Sequence, residues 1–296
     1  MRTAAKILMT TFITTIVMIS FAVPTWAEVK IGVLAKRGAE HAMKQWGPTG
    51  EYLEAKIGDK VTIIPLKFVA IEPMVKDGQI DFMLANPAFF VEMEKKYQTR
   101  AIATMINSRE GKALKEFGGV ILVKQDSPIN TLQDMKGKKF MCVKFSSFGG
   151  AHMAQRLLLD NGIDAAKDTT FIEGSKHDNV VLAVLNGAAD VGTVRSDTLE
   201  RMEAEGKIKM SDFRVINQVK DDFPFVHSTR LYPEWPMAAL ANTDQALADK
   251  IAAALKAMPT DSAAAKAAKI IGWTDTLDYS PVSDCLKAIK YGAFAN

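Results

Sequence analysis

Cysteine is scarce in this chain: only Cys142 and Cys285 occur in 296 residues. Two thiols cannot staple a small disulfide scaffold, so a hydrophobic core must hold the fold. No CxxC or HExxH spacing occurs, and the four histidines (His41, His152, His177 and His227) are scattered. Metal-ligand spacing is therefore missing, and neither a metal nor another cofactor is expected. Net charge is also small, 37 basic against 34 acidic residues. That balance gives no global field for nucleic acid, so any preference for anions must be local. Past the amino terminus, no stretch is long and apolar enough to span a bilayer.

The amino terminus does carry an apolar run. Met1-Arg2 and Lys6 precede a threonine-rich apolar segment from Ile7 to Val23, and Thr25-Trp26-Ala27 places small residues at −3 and −1 before Glu28. This reads as a cleavable secretory signal over residues 1–27, predicting export to the periplasm with no lasting membrane insertion. Its loss removes Arg2 and Lys6, leaving 35 basic against 34 acidic residues, about +1. Export permits a Cys142–Cys285 disulfide; two buried free thiols are the alternative.

The stretch from Lys144 to Ala151, Lys-Phe-Ser-Ser-Phe-Gly-Gly-Ala, joins an apolar strand, Phe140–Val143, to the helix-like run Ala151–Leu159. Free amides at a helix start favour a small anion. Ser146 and Ser147 can cap that helix and donate to an oxyanion, while Gly149 and Gly150 allow close backbone approach. An ordinary capped turn is the plainer reading of this stretch alone. Arg37 follows the strand Val29–Leu34, where open α/β sheets bind ligands, and reads equally as a solvated arginine.

One grammar occurs twice. Ile71 to Pro87 reads helix, Gly78, Asp81, strand, Asn86; Asn179 to Ser196 reads helix, Gly187, Asp190, strand, Arg195. Each glycine is placed to end its helix. The echo predicts two similar α/β halves with Asn86 and Arg195 at the carboxyl ends of matching strands, facing one cleft. Gly119–Lys124 reads as a strand crossing between the halves, with the return somewhere in Arg214–His227. Helices are expected over Glu40–Trp46, from Pro48, over Pro87–Tyr97, Asp244–Met258, Ser262–Ile271 and Val282–Lys290.

Several ordered pieces carry a resemblance: Ile31-Gly32-Val33-Leu34, Asp126-Ser127-Pro128-Ile129 through Lys136-Gly137-Lys138, Ser146-Ser147-Phe148-Gly149, Gly174 to Asp178, and Asn186-Gly187-Ala188-Ala189-Asp190. Together they resemble the phosphonate-binding components of ABC transporters, among the type II periplasmic binding proteins. Leu34 to Gly38, Gly192 to Ser196 and Ser228 to Pro236 look closer to the periplasmic halves of tetrathionate-type sensor kinases.

The resemblance implies an α/β, two-lobed fold, each lobe a mixed sheet flanked by helices, with two crossing strands and a cleft that closes on a small oxyanion. Residues 28–121 would begin lobe 1, 122–225 form lobe 2, and 226–296 return to lobe 1 with the C-terminal helices. The implied ligand set is Ser146, Ser147, Phe148, Gly149, Gly150 and the cleft histidine His177, joined by Asn86, Arg195 and Arg37. Family members commonly carry a tyrosine where this chain has Asn86-Pro87-Ala88-Phe89-Phe90. Phenylalanine cannot donate to a phosphonyl oxygen, and the two arginines are suited to supply charge instead. Phosphate, phosphonate, sulfonate and other sulfur oxyanions thus stay open as ligands.

The implied partner is an ABC permease, or alternatively the periplasmic part of a membrane histidine kinase. An exported serine hydrolase using Ser147, His177 and Asp178 or Asp190 is a remote alternative, because no G-x-S-x-G elbow surrounds Ser147.

Overall fold

The computed structural model describes residues 28–295. The expected signal segment, residues 1–27, lies outside them. In chain order, β1 (Val29–Leu34), β2 (Val61–Leu66), β3 (Phe82–Leu84), β4 (Arg100–Arg109) and β5 (Lys112–Leu114) lead to a short β6 (Glu116–Phe117). Then come β7 (Gly119–Lys124), β8 (Lys139–Cys142), β9 (Thr170–Glu173), β10 (Val191–Arg195) and β11 (Phe213–Ile216). The chain returns through β12 (Tyr232–Pro233) to β13 (Pro236–Ala239) and β14 (Ile270–Thr274).

Two mixed sheets result. The first runs β14-β4-β13-β3-β1-β2, with β5 on β4; the second runs β11-β7-β10-β8-β9. In each, a parallel trio (β2-β1-β3 and β9-β8-β10) continues into an antiparallel neighbour, β13 or β7. The period-2 alternation of β7 shows how the second sheet is covered. Val120 and Leu122 pack into one apolar cluster, Ile121 and Val123 into another, so both faces are buried under helices.

The sequence echo is a structural repeat. Gly78 (φ 60°) and Gly187 (φ 72°) both occupy the left-handed region that ends a helix. Gln79 N–H reaches the Met74 carbonyl at 3.0 Å, and Ala188 N–H reaches Ala183 at 2.8 Å, the same closing bond in each half. Asp81 Oδ2 then accepts the Lys30 amide at 2.7 Å, and Asp190 Oδ2 accepts the Lys139 amide at 2.8 Å. Each aspartate thereby pins the start of the neighbouring strand.

Four expectations are corrected. Gly119–Lys124 does not cross between the sheets; β7 lies inside the second one, paired on both sides. The crossing is the antiparallel pair β6–β12. Nor does the chain return within Arg214–His227, because Ser228 Oγ still accepts the Ile121 amide (2.8 Å) and Thr229 Oγ1 the Gly119 amide (2.9 Å). Finally, Ala39–Ile57 is one helix running through Pro48, and Ile270–Ile271 belong to β14, not to the preceding helix.

Candidate functional site

Arg195 closes β10 and is buried, its guanidinium carbon 4.3 Å from the centre of the Phe117 ring. Its Nη2 donates to Glu234 Oε1 at 2.7 Å and its Nε to Asp197 Oδ1 at 3.1 Å. Asp197, two residues past the strand end, adopts φ 73°, a left-handed turn that brings its carboxylate back onto Arg195. From the first sheet, Arg109 Nε pairs with the other oxygen of Asp197, and Asn107 Nδ2 donates to Glu234 Oε1 at 2.8 Å. Tyr279 Oη fixes the Glu234 backbone carbonyl at 2.7 Å. Burial alone would lower the Arg195 pKa; Glu234 and Asp197 outweigh it and hold the group above its ordinary value. Burial dominates at Arg109, whose pKa falls.

Lys36, two residues past β1, sits with its ammonium 4.8 Å from the centre of the Trp235 ring. Among the described residues it has no ion pair. Burial, followed by the fields of Arg195 and Arg109, pushes its amine down to about 7, against the pull of Asp197 and Glu234. A cavity of about 20 Å³, room for roughly one water, lies here between the sheets. Lys36, Arg37, His41, Asn107, Arg109, Arg195 and Trp235 are among its walls.

His177 opens the helix His177–Leu185, and its Nδ1 accepts the Arg195 backbone amide at 3.3 Å. Burial, then Lys36, Arg195 and Arg201, hold the imidazole well below its usual pKa. The ring is therefore neutral at physiological pH, and the acceptor role of Nδ1 assigns its proton to Nε2. That leaves one N–H donor beside the two cations.

The glycine turn supports Arg195 from below. Its helix start is a wider turn than an α-helix: His152 N–H bonds to the Ser147 carbonyl, five residues back, at 3.2 Å. Ser147 N–H closes the preceding turn on the Lys144 carbonyl at 2.9 Å, so the amides with no earlier turn to donate to are those of Phe148 to Ala151. A Cβ on Gly149 would stand 2.7 Å from the Phe117 ring and 3.0 Å from Arg195 Cβ; one on Gly150 would stand 2.5 Å from Val143. Both glycines thus answer to close packing.

The expected ligand residues divide. Arg37 and Arg195 line one cavity, with His177 bonded to Arg195. Ser146 lines a different, larger groove of about 570 Å³ with Phe68, Glu72, Phe89, Tyr97 and Tyr291. Ser147 is buried beside Gly150, and Phe148 packs edge-on against Tyr232 at 4.9 Å within the core. Asn86 caps the helix Pro87–Tyr97, its Oδ1 accepting the Ala88 and Phe89 amides. Asp178 is paired with Arg201 and Lys207, and Asp190 with the Lys139 amide, so neither carboxylate serves His177. Sequence reasoning missed Lys36, Asn107, Arg109 and Glu234. The visible signal for Lys36 was its place beside Arg37 at the end of β1.

Over residues 31–284 the chain matches the family described as the periplasmic substrate-binding protein of phosphonate ABC transporters. The chain belongs to this family. It is also similar to the tetrathionate sensor histidine kinase TtrS of Salmonella typhimurium, 32% identical over 234 residues, which cover 78% of this chain and 39% of that one. The phosphonates-binding periplasmic protein of Escherichia coli is 22% identical over 198 residues, 64% of this chain and 56% of that one. The chain thus spans less than two thirds of either relative.

Among solved structures, a binding protein component of an ABC phosphonate transporter from Pseudomonas aeruginosa superposes with a TM-score of 0.71 at 16% identity, covering 89% of this chain and 86% of that one. PhnD1 from Prochlorococcus marinus, in complex with methylphosphonate, gives 0.70 at 14% identity, covering 88% and 97%. These likenesses establish the fold, a two-lobed type II periplasmic binding protein. No helix among the described residues is long and apolar enough to cross a membrane.

Proposed function

We propose that this chain is a periplasmic solute-binding protein that captures a small oxyanion between its lobes and hands it to an ABC importer. One observation carries the reading: Lys36, Arg37 and Arg109 from one lobe and Arg195 from the other line a single cavity. A ligand touching both sides favours the closed form and shifts the open–closed equilibrium toward it. Thermal-shift titration against phosphate, phosphonates, sulfonates and sulfur oxyanions tests this. A cavity ligand raises the melting temperature in a concentration-dependent way, and a flat response to every anion refutes the reading.

A second reading is ligand sensing on behalf of a membrane histidine kinase, favoured by the 32% identity to TtrS. Gene deletion separates the two. Loss of anion uptake supports import; intact uptake with loss of an anion-induced response supports sensing.

A further inference from the structure

We propose that the groove beside Ser146 is a second binding site, for a small organic ammonium ion held by the Glu92 carboxylate against aromatic rings. It shares no lining residue with the interlobe cavity, so the two readings stand or fall separately.

The groove, about 570 Å³, has the size of a small-molecule site. Four aromatic residues line it. Phe68 follows β2, Phe89 and Tyr97 belong to the helix Pro87–Tyr97, and Tyr291 follows the helix Ser280–Ala288. Phe68 and Phe89 stand 6.0 Å apart, centre to centre, with their planes inclined at 54°. Aromatic faces attract a cation, most strongly where water is displaced.

Glu92 supplies the charge. It is only 8% exposed and forms part of the groove wall, yet among the described residues its carboxylate has no hydrogen bond or ion pair. The neighbouring donors go elsewhere. Lys96 and Tyr97 both donate to Glu72 Oε1, at 2.9 and 2.8 Å, and Lys95 donates to the Ala293 carbonyl at 2.7 Å. Gly292 comes so close that a Cβ there would stand 2.6 Å from Glu92 Oε2, and as glycine it leaves that acid uncovered. A buried carboxylate without a partner is costly, and a cation in the groove relieves that cost.

Charge and chemistry narrow the class of ligand. The charged residues of the wall are Glu72, Lys76, Asp77 and Glu92. Lys76 and Asp77 are exposed neighbours that cancel, and Lys96 neutralises Glu72. One negative charge remains, on Glu92, and one monovalent cation balances it. Among the described residues no group of three or more His, Cys, Asp or Glu could hold a metal ion. The rings of Phe68 and Phe89 offer no oxygen ligand either, whereas they suit the carbon-bearing surface of an ammonium ion.

Burial lifts the Glu92 carboxyl to about 7, with Lys96 opposing and Glu72 adding to the rise. Tyr291, raised to about 12 by burial and then by Glu92, stays neutral, as does His152 packed against it. A cation binds the ionised carboxylate, so its affinity rises with pH, about tenfold between pH 6 and pH 8.

Isothermal titration calorimetry tests this with the chlorides of tetramethylammonium, choline and ethylammonium, beside those of sodium, potassium and calcium at matched ionic strength. The proteins are wild type, Glu92→Gln and Phe89→Leu. At least one organic ammonium ion should saturate a single site, about tenfold more tightly at pH 8 than at pH 6. Glu92→Gln should weaken it by about tenfold or more and flatten the pH profile. Phe89→Leu should weaken it by roughly threefold or more and keep the profile. Saturation by none of the ammonium ions overturns the site. Unchanged affinity in Glu92→Gln or, should that variant not fold, in Phe89→Leu overturns the assignment to this groove. Equally tight binding of an inorganic cation overturns the organic class.

Discussion

Arg195 and Glu234 meet at 2.7 Å where the end of the second sheet touches the returning chain of the first. Both side chains are buried, and Glu234 is fully enclosed. Removing one partner of such a pair leaves an uncompensated buried charge, which costs about 3–5 kcal/mol. Glu234→Ala should therefore unfold at markedly lower urea than wild type. A loss under about 1 kcal/mol would show that the pair does not join the lobes as described.

Gly149 and Gly187 separate packing from backbone strain. Gly149→Ala pushes a methyl against the Phe117 ring and Arg195, costing about 1–3 kcal/mol of stability and weakening anion binding. Gly187→Ala meets nothing within 4 Å but must hold φ 72°. It should cost about 1–2 kcal/mol and leave affinity unchanged. Equal affinities in the two variants would detach the glycine turn from the site.

Much of this organisation was legible in the residues themselves. The echo around Gly78-Asp81 and Gly187-Asp190 was visible because helix stops and strand starts are local, set by one glycine and one carboxylate. Arg195 was legible as a donor at a strand end for the same reason, and Arg37 lines the same cavity. What escaped was long-range. Glu234 lies 39 positions from Arg195, and nothing in Tyr232-Pro233-Glu234-Trp235 announces a buried acid. The capping expectation failed for a physical reason: Ser146 and Ser147 are good capping residues, yet neither side chain caps the helix, because a wide turn begins there. The apolar, glycine-led run at Gly119–Lys124 suits a crossing strand and a sheet interior equally well, and only pairing decides between them.

His152 contributes to the acid limb of stability, as does His177, whose pKa is also depressed. His152 is fully buried, its Nε2 bonded to the Phe145 carbonyl at 2.6 Å, and burial lowers its pKa to about 4. The unfolded chain, with an ordinary histidine near 6.5, binds that proton first. Its contribution is present above pH 6.5 and is lost as pH falls toward 4, on the order of 3 kcal/mol in all. Urea midpoints of wild type and His152→Gln measured across that window should diverge on the acid side, the variant being the flatter. Parallel curves would contradict the assignment.

Cys142 and Cys285 are both free and buried, and burial raises each thiol to about 12. Both should resist a thiol reagent in the native state and react at once in denaturant. Native labelling of either at the rate of the unfolded chain would contradict this placement.

The location of the bound anion is the decisive matter, and co-crystallisation with selenate reads it directly from the anomalous signal. The predicted peak lies between the lobes, within contact of Lys36 and bordered by Arg195 and Arg109. A sole peak in the groove beside Ser146 and Tyr97, or on the outer surface, would contradict the account.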